Sequence, residues 1–304
     1  MRVHVRYDPS RHVGKRSVGG PQPARPSRRS RRRPGLVDCG EGTQRQLLRS
    51  GAGFRRLERL LLTHAHFDHV LGIPGLLSTL RLQQCADTMA IHGGPSTLEI
   101  IARMLAGFWG EGTAPISLDF VPLVEGRIVD AGQFTIDCFP VRHRDTDSFG
   151  FSFESQVRRH LLPDRLSALG VPDGPVRKVL AEGTPATLED GRTIDPEDVL
   201  GPPAKAKKLV VVGDTETTDG LSKHVRNADV LVIEATFLDR DSEMARDYGH
   251  LTAAKAAALA LESNVKQLVL NHISGRYPEG EILAEAAMIF PDSRVAADFD
   301  RFVL

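Results

Sequence analysis

With 304 residues, 41% of them hydrophobic, the chain is long enough for one large domain or two small ones around a substantial core. Its 39 basic and 39 acidic residues cancel, but residues 1–34 hold eleven Lys or Arg against one acid, Asp8; removing them leaves 28 basic and 38 acidic residues, so attraction to nucleic acid needs a local patch. Cys39, Cys85 and Cys138 are scattered without a CxxC pair, which argues against a disulfide framework and fits a reducing cytoplasm, and no apolar segment reaches the ~20 residues of a membrane span.

In chain order, PQPARPSRRSRRRP (Pro21–Pro34) has no apolar periodicity and is expected to be disordered with the rest of the leader 1–34. Ordered sequence begins near Gly35 and alternates short apolar runs with Ala/Leu-rich stretches, the pattern of an α/β or mixed sandwich. Four runs read as buried strands: Leu60–Leu62, Phe134–Val141, Leu209–Val212 and Leu268–Leu270. Ala253–Glu262 reads as a helix behind Thr252, its N-cap. The Pro-, Gly- and charge-rich stretch Val157–Lys208 reads as an excursion from the core, either a linker or a projecting arm.

The chemistry concentrates in THAHFDHVLG (Thr63–Gly72), directly after the first run. Side chains alternate in an extended chain, so His64 and His66 point to one side and can share a metal, while Asp68 and His69 fall where the chain turns and can serve a second. Sites form on loops beyond strand ends, and the other three runs lead to His143, Asp214 and His272. The assignment is therefore two Zn2+ ions: His64, His66 and His143 on one, Asp68, His69 and His272 on the other, and Asp214 between them. His92, His160 and His224 lack this context and read as surface or capping residues; His4 and His12 fall in the leader.

These residues and their flanks resemble the ribonuclease Z family of the metallo-β-lactamase superfamily. The match runs from about Gly35 to Leu304 through VDCGEGTQRQLL (Val37–Leu48), HVLGIPGLL (His69–Leu77), VRHRDTDSFGF (Val141–Phe151), VVVGDT (Val211–Thr215), IEATF (Ile233–Phe237), YGHLTA (Tyr248–Ala253) and NHISGRY (Asn271–Tyr277). The resemblance implies a four-layer αββα sandwich with a projecting, flexible substrate-binding arm at 157–208. It implies a zinc-dependent endoribonuclease that removes the 3′ trailer of precursor tRNA, with Asp68 as general base, His250 assisting the departing 3′-oxygen and Glu234 orienting His250. In the arm, Gly174 and Pro175 stand at its characteristic turn, and Arg177, Lys178 and Arg165 would meet phosphates. A cytoplasmic homodimer is also implied.

Two departures accompany the match. Ile233 stands where the family usually has the histidine of HEAT, and residues 1–34 lack the two strands that normally precede VDCGEGT, as a misread start in a GC-rich gene would produce. Two other functions compete: a hydrolase of small phosphodiesters or sulfates, which would keep the seven ligands and need no arm, and an inactive RNA-binding homologue.

Overall fold

A computed structural model describes residues 4–5, 35–51, 53–54, 57–132, 134–156, 159–203 and 205–302. The chain divides into two compact units, one formed by residues 1–154 with 208–304 and the other by residues 155–207.

The larger unit is built on two sheets. One has seven strands in the order Ser293–Val295, Leu268–Asn271, Val230–Glu234, Lys208–Val211, Ser148–Ser155, Phe134–Val141 and Gly126–Asp130; the other has four, Leu36–Val37, Arg59–Leu61, Thr88–Gly93 and Ser117–Pro122. Alternation along the strands sorts the apolar side chains into layers. Leu60 and Leu62 join a core with the helices Ile73–Leu82 and Pro95–Trp109, whereas Leu61 faces the other way and packs with Ile136, Cys138 and Phe151 of the larger sheet. On the larger sheet, Val210, Leu231, Ile233, Leu268 and Leu270 pack beneath the helices Ala253–Glu262 and Glu279–Ile289. Helix, sheet, sheet, helix is the αββα order expected. Thr252 caps its helix as read, its hydroxyl accepting from Lys255 N at 3.3 Å.

The four apolar runs all lie in strands, within one residue at each end. The fully buried strand Val230–Glu234 was not singled out among them. Ile233 points into the helix-covered core, where an apolar side chain fits better than a polar one. The leader's expected disorder falls outside the described residues, except that His4–Val5 pairs in parallel with Arg301–Phe302. His12 is also outside them.

Close approach of two loops fixes the segment that carries Thr63–Gly72. Gly72 N donates to Cys39 O at 2.7 Å and Cys39 N to His69 O at 2.7 Å, and a Cβ on Gly72 would fall 2.0 Å from Gly40 O. Backbone cannot yield as a flexible side chain would. Gly72→Ala is therefore expected to cost about 2 kcal/mol or more, read as a lower urea midpoint at unchanged m-value.

The smaller unit, which takes in nearly all of the stretch Val157–Lys208, has a packed core of its own. Leu166, Val171, Leu180, Ala186, Leu188, Ile194 and Val199 form its own core beneath the helices Pro163–Ala168 and Pro175–Ala181 and the hairpin Ala186–Thr187/Thr193–Ile194. Gly174, at φ 137°, precedes Pro175 at the first turn of the second helix, the pairing that starts a helix without an unsatisfied N–H.

Candidate metal centre

The seven residues assigned as ligands come together at the ends of the strands that precede them. His64, His66, His143 and Asp214 form one group and Asp68, His69, Asp214 and His272 another, each with one nitrogen or oxygen per residue inside 4.8 Å of the others. Asp214 belongs to both. Its Oδ2 lies 3.7 Å from His64 Nε2, 3.5 Å from His69 Nε2, 3.9 Å from His143 Nε2 and 3.4 Å from His272 Nε2.

Polar atoms buried here without partners test whether a metal fits. His64 Nε2, His69 Nε2 and Asp214 Oδ1 are all buried and make no hydrogen bond within the protein. Such groups cost ~1–3 kcal/mol each unless something satisfies them. An imidazole/carboxylate set with inward-facing lone pairs suits divalent metal ions, and it is a metal-binding arrangement.

The opposite ring nitrogens are held from behind. His69 Nδ1 lies 2.8 Å from Asp38 Oδ2, His143 Nδ1 donates to Gly249 O at 2.8 Å, His64 Nδ1 meets Thr63 Oγ1 at 3.0 Å and His272 Nδ1 meets Thr236 Oγ1 at 2.9 Å. In each case Nε2 is left for the centre. His66 differs: its Nδ1 lies 3.3 Å from His143 Nε2.

Charge among the protein's own groups here is uneven. Burial, reinforced by His69, lowers His64 to a pKa of about 2, so its ring is neutral and ready to ligate. Burial also pulls on His69, but the Asp38 carboxylate hydrogen-bonded to its Nδ1 and the nearby Asp214 and Asp68 carboxylates outweigh it and hold the ring at about 12. The hydrogen bond with His272 and the nearby His69 ring keep Asp68 far below the usual carboxylate range. A ligating imidazole must give up its second proton. Metal entering at pH 7 is thus expected to release about one proton from His69, and apparent affinity to fall as pH is lowered. Calorimetric titration in two buffers of different ionisation enthalpy checks this; an identical heat in both would contradict it.

His250 and Glu234 lie beside the ligands. His250 Nδ1 is 2.9 Å from Glu234 Oε1, and its ring centroid is 5.2 Å from that of His143 and 5.1 Å from that of His272. Glu234, His250 and His272 form a third cluster of ligand-type atoms. Glu234 is fully buried and already accepts from Thr215 N, Leu251 N, Thr236 Oγ1 and His250 Nδ1, which makes it an organiser of the site rather than a ligand.

Other expected contacts fare differently. Arg177 donates to Pro172 O and Val171 O and pairs with Asp173, so its guanidinium is occupied within its own unit. Arg165 faces the Glu197 and Asp198 carbonyls. Lys178 is exposed beside Glu182. His92, read as a surface or capping residue, is buried in strand Thr88–Gly93 with neither ring nitrogen bonded; His160 is exposed, and His224 stacks on Phe139 at 4.2 Å. The residues missed were Asp38, Thr63 and Thr236. A hydroxyl next to the first histidine of HxHxDH, and an acid in the segment that pairs with that strand, were the available signals.

Comparisons with known proteins agree with this geometry. Residues 35–148 match the Metallo-beta-lactamase superfamily and residues 175–273 the Beta-lactamase superfamily domain. A ribonuclease Z of Bradyrhizobium diazoefficiens is 72% identical over 269 residues, covering 88% of this chain and 89% of that protein. A ribonuclease Z of Bacillus subtilis is 38% identical, covering 88% of each. Among solved structures, the short form of human tRNase Z is similar with a TM-score of 0.56 at 26% identity, covering 87% of this chain and 86% of that one. A metallo-beta-lactamase fold protein of Bacillus subtilis shares the fold with a TM-score of 0.60 at 19% identity, covering 86% and 84%.

Proposed function

Because the chain belongs to the ribonuclease Z family of the metallo-β-lactamase superfamily, we propose that it is the endoribonuclease that cuts the 3′ trailer from precursor tRNA, using two zinc ions. The observation that carries this reading is the convergence of seven ligand-type residues on two groups sharing Asp214, in a chain 72% identical to a ribonuclease Z. When bound, the two ions supply Lewis acidity, activating water near neutral pH and offsetting charge on the phosphoryl oxygens.

The chain's own groups arrange the rest. Asp68 is ionised and 62% exposed, with Oδ2 3.1 Å from His272 Nε2 and 3.4 Å from His69 Nε2, so it can hold a ligand position and take the nucleophile's proton. Glu234 engages His250 Nδ1 and leaves Nε2 as the nitrogen that passes a proton to the departing 3′-oxygen. Products are tRNA with a free 3′-hydroxyl and a trailer with a 5′-phosphate. Residues 155–207 serve as the tRNA-gripping unit, with Lys178 and the Gly174–Pro175 helix start as phosphate contacts and Arg177 as internal support. A cytoplasmic homodimer completes the reading. Among the described residues no helix is long and apolar enough to cross a membrane.

Incubating the zinc-loaded protein with a 3′-extended precursor tRNA, beside Asp68→Ala, tests the proposal. One cut just after the discriminator nucleotide is expected, slowed ~100-fold or more in the variant. Hydrolysis of a small phosphodiester with no cut in tRNA would overturn it in favour of a small-substrate hydrolase.

A further inference from the structure

Two carboxylates behind the ligands are used in the same way. Asp38 Oδ2 lies 2.8 Å from His69 Nδ1 and accepts from Thr63 Oγ1 at 2.9 Å, and that hydroxyl is 3.0 Å from His64 Nδ1. Glu234 Oε1 lies 2.9 Å from His250 Nδ1, its Oε2 accepts from Thr236 Oγ1 at 2.7 Å, and that hydroxyl is 2.9 Å from His272 Nδ1. Each acid thus holds one imidazole directly and reaches a second through a threonine.

A hydroxyl has one hydrogen. Thr63 gives it to Asp38, and Thr236 has two oxygen acceptors, Glu234 Oε2 and the His272 carbonyl at 2.8 Å. Towards the imidazole, then, each hydroxyl can only accept. The ring must carry its proton on Nδ1 and present the Nε2 lone pair to the centre. We propose that Thr63 and Thr236 are positioning residues that lock His64 and His272 in the ligating tautomer, one threonine for each metal ion. Thr63 and His64 are almost wholly buried, so no water replaces the hydroxyl easily. The arrangement ties each ion to a different strand end: Thr63 follows Arg59–Leu61, and Thr236 follows Val230–Glu234.

The inference rests on the two-ion reading, and its test separates the two. Zinc affinities are measured by competition with a chromophoric chelator for the full chain and for Thr63→Val, Thr63→Ser, Thr236→Val, Thr236→Ser and the double valine variant. Each valine variant is expected to weaken one of the two ions by roughly 10- to 100-fold, the double variant both, and each serine variant to restore the affinity. In metal-free protein, 15N ring shifts should show His64 protonated on Nδ1 and, in Thr63→Val, partly on Nε2. Wild-type affinity in the valine variants, or serine variants as weak as valine, would overturn the inference. If the unsubstituted protein bound no zinc, the two-ion reading would fall. The His64 ring shifts would still decide the tautomer claim, and shifts unchanged in Thr63→Val would overturn it.

Discussion

Asp214→Asn is expected to slow hydrolysis by roughly a thousandfold or more and to strip metal from the protein while leaving the fold in place. Asp214 is almost fully buried, and its Oδ2 lies between 3.4 and 3.9 Å from four imidazole Nε2 atoms, so one carboxylate supplies the negative charge both groups share. Neutral asparagine keeps the shape and offers one carbonyl oxygen in place of a charged, two-oxygen donor. The loss should therefore appear in the metal content, measured by elemental analysis after dialysis, and in kcat, with a smaller fall in the urea midpoint in EDTA as His69 loses one of its carboxylate neighbours. Near wild-type cleavage with two zinc ions retained would mean that the shared carboxylate is dispensable. A lower EDTA midpoint with both zinc ions and cleavage retained would instead mean that Asp214 acts mainly by pairing with His69.

Much of this cluster was legible because its ligand-type residues follow strands. HxHxDH compresses four ligand-type residues into six positions, and the rule that sites form at strand ends singled out His143, Asp214 and His272, each two residues beyond an apolar run, which the fold brings beside them. What supports those residues was harder to read. Asp38 is 25 residues from Thr63 in sequence and reaches it only because Val37 pairs with Leu61, a register no local pattern announces. Strand Val230–Glu234 was passed over because its last residue is an acid that serves backbone amides, and an acid after an apolar run looks like any solvated strand end. The stretch Val157–Lys208 read as an excursion, either a linker or a projecting arm, because the seven core residues within it are diluted among prolines, glycines and charges; a small core needs few apolar positions. Arg177 entered through the resemblance alone, and no local sequence pattern announced that its donors reach the Val171 and Pro172 carbonyls.

Glu234→Ala is expected to cost the most stability of any single change near the site. The carboxylate is fully buried and accepts four hydrogen bonds: from Thr215 N at 2.7 Å, Leu251 N at 3.1 Å, Thr236 Oγ1 at 2.7 Å and His250 Nδ1 at 2.9 Å. Alanine would leave these donors facing a cavity with no acceptor, and breaking one side of such a buried network costs about 3–5 kcal/mol. Glu234→Gln keeps the volume and one oxygen, but its amide NH2 would face donors, so its cost should be smaller and still measurable. Urea unfolding in EDTA isolates this term from metal linkage, because bound metal would add its own stabilisation of the native state. Activity should fall with stability, since Thr215 adjoins Asp214 and Leu251 adjoins His250, and both backbones are anchored to this one side chain. A Glu234→Ala protein with a wild-type midpoint would show that water takes over the acceptor role. Loss of cleavage in that same protein would then assign Glu234 to holding His250 rather than to holding the fold.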